Sequence, residues 1–242
     1  MTPEETAAAA KDPVGALGAG FMFDPTTRDT GRAAGLRSKP LYHRGRGGVL
    51  GETEADVVRA AFVFFPPAVV SESWTAGRQV LSAPASAALY ATCCEEWGRA
   101  HLTDPGTGRL AELLGRVVDG ADPAGVPVFA GWRALPRPDD AAGRLALLLM
   151  TARELRGGLH GLAVLAEGLT PLEAVLAGPY GEGNARFFDW PEPYPDPAPH
   201  REAWERAEAT TNRLMARAFS VLDEAERDEL VALLGQAQAA AS

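Results

Sequence analysis

Residues 141–165 read "AAGRLALLLMTARELRGGLHGLAVL", and the reading of this run decides the fold. From 141 to 156 it is apolar around most of a helical circumference, which marks a central helix buried on several sides. Asp139 and Asp140 stand where such a helix needs its N-terminal cap. Polar and titratable groups then crowd its far end: Arg153, Glu154, Arg156 and His160, with Gly157 and Gly158 between the last two. The glycine pair predicts a helix end there. Two short helices follow over 160–167 and 171–177, separated by Gly168, the second capped by Thr170.

Outward from this run, almost every periodic segment is helical. A short helix is expected over 25–34, ended by Gly35. Residues 41–51, "LYHRGRGGVLG", read as a glycine-rich, positively charged segment. Thr53 to Asp56 open the helix "VVRAAFVFF", which Pro66 and Pro67 stop. Further helices are expected over 84–102, 107–118, 201–222 and 223–240, the second with a clear apolar stripe from Leu110 to Val118. No run alternates at period two. The fold class is therefore all-α, a multi-helix globule of about ten helices. Residues 1–177 form its body, and 201–242 form a helix pair packed on it, as one structural unit. Between them, residues 178–200 hold six prolines and five aromatics. Proline excludes regular helix there, and the aromatics predict a strap packed against the body or a lid over a pocket. A short echo, "RGGVLGETEADVVRAAF" from Arg46 and "RGGLHGLAVLAEGLTPLEAVLAG" from Arg156, suggests duplicated halves whose two Arg-Gly-Gly elements face one cleft.

With 242 residues and 46% hydrophobic composition, the chain can bury a sizeable core. Its net charge of -9 opposes a sequence-independent grip on nucleic acid. Only Lys11 and Lys39 are lysines, so arginine supplies nearly all the positive charge. The cysteines, Cys93 and Cys94, are adjacent and form no CxxC pair, which fits a reducing compartment. The N-terminal residues do not read as a signal peptide, and no apolar run has the roughly 18 residues of a membrane span. The expected location is cytoplasmic.

Arg153, Arg156 and His160 are spaced to share a helix face. They either cap a helix end, or Arg156 and His160 point into a cleft where the arginine fork holds an anion and the imidazole switches charge. Glu154 is the partner that would orient His160. In "YHRGRGG", Tyr42, His43 and Arg46 could serve the same cleft, although the pattern is neither GxGxxG nor a Walker loop. Trp132, Arg133, Phe62, Phe64 and Phe65 are core residues or the aromatic wall of that cleft. The histidines at 43, 101, 160 and 200 lack metal-ligand spacing, no serine sits in GxSxG, and Cys93 lacks a cationic neighbour. No metal or cofactor is expected.

"RGGVLG", "VVRAAFVFFPPAVV" with Trp74, "ADPAGVPVFAGWRALP" and "RELRGGLHGLAVLAEGLTPLEAVL", in this order, resemble an actinobacterial family of helical proteins described as helix-turn-helix family proteins. The resemblance runs over about 42–177 and resumes from Trp204 through "TTNRLMARAFSVL". It implies a helical fold and points at Arg46, Arg156 and His160. Where members carry a winged segment, this chain has its proline-aromatic strap, so the resemblance implies loss of the DNA-binding module.

The resulting expectation is a soluble, intracellular small-molecule-binding protein. Tyr42, His43, Arg46, Trp132, Arg133, Arg156 and His160 would line the site, and the ligand would be apolar with an acidic or polar end. Nucleic acid and membranes are not expected partners, and a homodimer is compatible with the sequence. The alternatives are a non-metal acid/base enzyme of specialised metabolism (lyase, isomerase or cyclase), with His160 and Glu154 catalytic, and a transcriptional regulator.

Overall fold

Asp140 accepts a 2.8 Å hydrogen bond from the Gly143 amide and so starts the longest helix of the molecule, α10 (Ala141–Ala166). The structure is a computed structural model that describes residues 1–241. Before α10 come α1 (Pro3–Ala9), α2 (Lys11–Phe23), α3 (Pro25–Ala33), α4 (Ser38–Gly47) and α5 (Ala55–Ala61). Then follow α6 (Pro67–Arg78), α7 (Ala83–His101), α8 (Thr107–Gly120) and α9 (Pro127–Arg133). After it come α11 (Pro171–Ala177), α12 (Gly181–Phe187), α13 (Arg201–Phe219) and α14 (Glu224–Ala240). The fold is all-α, with no strand among the described residues.

α10 is the axle, and α2, α7, α8, α9 and α13 pack around it. Leu145 through Ala152 are all buried, so more than half the circumference is covered, as the continuous apolar run requires. Each fully buried leucine contributes about 1.5–3 kcal/mol of transfer free energy. No single helix among the described residues is long and apolar enough to cross a membrane.

The expected break at Gly157-Gly158 does not occur: α10 runs unbroken to Ala166. The second glycine is there for close approach. A Cβ on Gly158 would lie 2.6 Å from a Val126 methyl, while one on Gly157 would meet nothing within 4 Å. The helix ends at a turn over 167–170, where Gly168 takes φ +77°, and α11 leaves at 106°.

Residues 41–51 also differ from expectation. Most of the segment is helical, as α4 and a 3-10 turn over Gly48–Leu50. Its glycines let α4 approach its neighbours, since a Cβ on Gly45 would strike Tyr90 and one on Gly48 the Ala83 carbonyl. The two Arg-Gly-Gly elements are therefore unlike: one ends a helix, and the other lies inside one.

The strap carries one helix of its own, α12, despite its prolines. It packs against the body: Phe188 lies 4.6 Å from Phe65 between ring centroids, and Trp190 Nε1 donates to the Phe64 carbonyl at 3.0 Å.

Candidate functional site

α10 presents polar groups on two opposite sides. Glu154 and Arg156 are two residues apart, which turns them by about 200° around a helix. Each therefore builds a separate cluster.

On the first side, the Glu154 side chain is only 1% exposed and is clamped by α4. Arg46 Nε and Nη2 donate to its two oxygens, both at 2.8 Å. Arg153 Nη1 adds a third bond at 3.1 Å. Arg46 Nη1 also donates to the Tyr42 hydroxyl at 3.1 Å, and its guanidinium lies 4.2 Å from the centroid of the Phe62 ring. Trp132 Nε1 donates to the Arg46 carbonyl at 3.0 Å, fixing α9 on α4. Burial works against the charge on Arg46, and Glu154 more than offsets it, so the guanidinium pKa lies above its ordinary value. Two arginines share one carboxylate here, leaving one excess positive charge.

His43 sits beside this cluster, walled by Tyr42, Phe62 and Phe65. Its Nδ1 donates to the Lys39 carbonyl at 3.1 Å, while Nε2 is buried without a partner. Burial lowers its pKa to about 4, so the ring is neutral near pH 7.

On the other side of α10, Arg156 donates to Glu208 at 3.0 Å and to Asn212 at 2.9 Å, both on α13. Lys11 reaches the same Glu208 oxygen at 2.6 Å. His160 Nδ1 lies 3.0 Å from the Thr211 hydroxyl and 3.3 Å from Glu208. The Thr211 hydroxyl donates onward to the Ala207 carbonyl, so His160 is the donor in the first contact. Its ring is stacked on Phe64 at 5.4 Å. Burial again lowers the imidazole pKa to about 4, with Glu208 opposing.

Tyr42, His43, Arg46 and Trp132 are thus brought together with Glu154, whereas Arg156 and His160 belong to the opposite cluster. Arg133 is in neither: it donates to the Ala121 carbonyl at 2.6 Å and lies over Phe129. The expected shared cleft between the Arg-Gly-Gly elements does not form, because each arginine is consumed by a carboxylate on its own side. The carboxylate beside His160 is Glu208, not Glu154. Nothing in the local sequence signals Glu208, which lies 52 residues from Arg156 in the chain.

In a helix-turn-helix two helices cross at about 90–120° through a three- or four-residue turn, and two corners of this chain have turns of that length. One is α10–α11, whose 106° angle fits that range. α11 has no basic residue and is covered by the strap and α13, with Glu173 3.5 Å from His200. The other is α3–α4, joined over 34–37. Gly35 takes φ +85°, Leu36 is buried, and the Leu36 amide donates to the Gly31 carbonyl at 2.8 Å. Gly31 faces Leu41 so closely that a Cβ would overlap it. Arg28, Arg32, Arg37 and Lys39 all stand exposed on this corner. Arg32 pairs with Asp29, and Lys39 with Asp189 of the strap. Arg28 and Arg37 make no ion pair among the described residues.

A cavity of about 500 Å³ opens between the end of α11, the strap (residues 178–182, Pro195 and Pro197) and the first turns of α13. Among the described residues, no group of three His, Cys, Asp or Glu side chains could hold a metal ion.

Residues 6–193 match the model of the helix-turn-helix family. No curated protein and no solved structure matches the chain. The family match overturns the expectation that nucleic acid is not a partner, because the helix-turn-helix is a motif that enters the DNA major groove. The match covers more than three-quarters of the chain, and the protein belongs to the helix-turn-helix family.

Proposed function

We propose that this protein is a DNA-binding regulator that uses α3–turn–α4 as its helix-turn-helix. The supporting observation is the cluster of exposed cations on that corner of an otherwise acidic chain. In this motif the first helix crosses the phosphate backbone, and the N-terminal residues of the second reach base edges. Arg28 and Arg32 on α3 suit the first role. Ser38 suits the second, with Arg37 and Lys39 on the flanking phosphates, since the rest of α4 is committed to the core.

With about four phosphate contacts, the logarithm of the affinity falls with the logarithm of the salt concentration at a slope of about -3.6. Between 50 and 200 mM salt that is a loss of about 150-fold. The test is selection from a random duplex library, followed by a mobility shift with the enriched DNA. Replacing Arg28 and Arg37 together by Gln should flatten the slope by about 2. Absence of any shift at 50 mM salt, or an unchanged slope in the double variant, rejects the reading.

A small-molecule-binding role is a second reading, and the strap cavity is the observation that favours it. The buried clusters on α10 supply structure in either case, since their charged groups are already paired within the chain.

A further inference from the structure

We propose that the cavity between the strap and the start of α13 binds a small aromatic zwitterion with the chemistry of an aromatic α-amino acid. The inference does not depend on DNA binding. The volume of about 500 Å³ lies within the range of small-molecule sites, roughly 300–1,000 Å³. Its walls suit a flat ring. Trp204 and the prolines 179, 195 and 197 line it with apolar surface that loses little entropy on binding.

Tyr180 lies on the rim and is 73% exposed, more than any other exposed large hydrophobic side chain. Phe23 and Phe187, the next most exposed, form a tilted pair with ring centroids 5.9 Å apart, while Tyr180 has no ring neighbour among the described residues. A second aromatic face beside Trp204 would give Tyr180 that neighbour, and an aromatic pair is worth about 0.5–1.5 kcal/mol beyond its area.

The charges select the ends of the ligand. Arg201 and Glu205 both line the cavity, one turn apart on α13 and about 6 Å along its axis. Among the described residues, neither is in an ion pair, and Arg201 makes no hydrogen bond to another side chain. Glu182, the third charged residue of the lining, holds Arg186 at 2.9 Å, and the charges beyond the lining are spent too: Arg206 holds Glu167 at 2.7 Å, and Glu208 holds Arg156 and Lys11. One free guanidinium fork and one free carboxylate in the same hollow match a ligand carrying one carboxylate and one ammonium group. A purely anionic ligand would leave Glu205 facing it as a like charge. A purely cationic ligand would meet Arg201 in the same way.

The experiment is isothermal titration of the full chain, without DNA, using three probes of one ring type: L-tryptophan, indole-3-propionate without the ammonium, and tryptamine without the carboxylate. L-tryptophan should bind at least tenfold more tightly than either. Arg201→Gln should remove its advantage over tryptamine, and Glu205→Gln its advantage over indole-3-propionate. Tyr180→Ala should weaken all three alike. These side chains are solvent-facing, and an unchanged melting temperature checks that each variant is folded. Failure of L-tryptophan to bind at 5 mM overturns the proposal. Equal binding of all three probes, or unchanged selectivity in either charge variant, does so as well.

Discussion

Glu154→Gln keeps the shape of the side chain and removes its charge. Arg46 would then remain beneath Tyr42, Phe62 and Trp132 with no carboxylate in contact, its side chain only 12% exposed. Two charges about 4 Å apart at an effective dielectric of 20 attract by about 4 kcal/mol. Removing one partner of a buried pair costs about 3–5 kcal/mol. Arg153 adds little, because its side chain is 29% exposed and screened by water. Taking a urea dependence of about 3 kcal/mol/M, the unfolding midpoint should fall by about 1–1.7 M. The melting temperature should fall by about 6–20 °C. The double variant Arg46→Met with Glu154→Leu removes both charges and should regain most of that loss, because a buried pair is often no better than apolar residues of similar volume. A single variant that loses less than about 1 kcal/mol would refute the view of Glu154 as the counter-charge that makes Arg46 tolerable. So would a double variant as unstable as the single.

Acid should weaken the fold before most carboxylates titrate. His43 and His160 are each held at about 4, below the ordinary 6.5, so the unfolded chain takes up more protons between those values. Stability should be full above about pH 6.5 and fall towards pH 4, by about 3 kcal/mol for each imidazole, and His160→Gln should remove roughly half of the fall in urea midpoints measured across that window. The two kinds of glycine separate cleanly by mutation. Gly157→Ala, with open space at the Cβ, should stabilise the protein by about 1 kcal/mol in thermal unfolding, because α10 is continuous there. Gly48→Ala should destabilise it by about 1–3 kcal/mol, since its Cβ is driven into the Ala83 carbonyl. If Gly157→Ala proves strongly destabilising, α10 bends at that point.

Much of the architecture was readable because helical periodicity is local. The apolar run over 145–152 announced a helix buried on most sides, and the aromatics of the strap announced packing. The glycines misled for a physical reason. A glycine that ends a helix and one that lets a neighbour approach carry the same local signal. What separates them at Gly158 is Val126, 32 positions away, which no window can reveal. The candidate site divides in the same way. Tyr42 and Arg46 are one turn apart, and their association was legible. The counter-charges were not: Arg46 meets Glu154 across 108 residues, and His160 meets Thr211 across 51. The charge balance misled too. A net -9 describes the whole surface and does not register that Arg28 to Lys39 gather on one corner once Gly35 turns the chain.

The clamp between Arg46 and Glu154 also bears on how the chain is made. Ribosomes extend a polypeptide at about 5–20 residues per second. The 108 residues between the two partners therefore take about 5–20 s to synthesise. Throughout that interval α4 exists without the carboxylate that lets its guanidinium be buried. Closing the amino-terminal core around Arg46 before α10 emerges would leave that guanidinium buried without its counter-charge. The first half thus reaches its full stability only once that one glutamate of the second has been added.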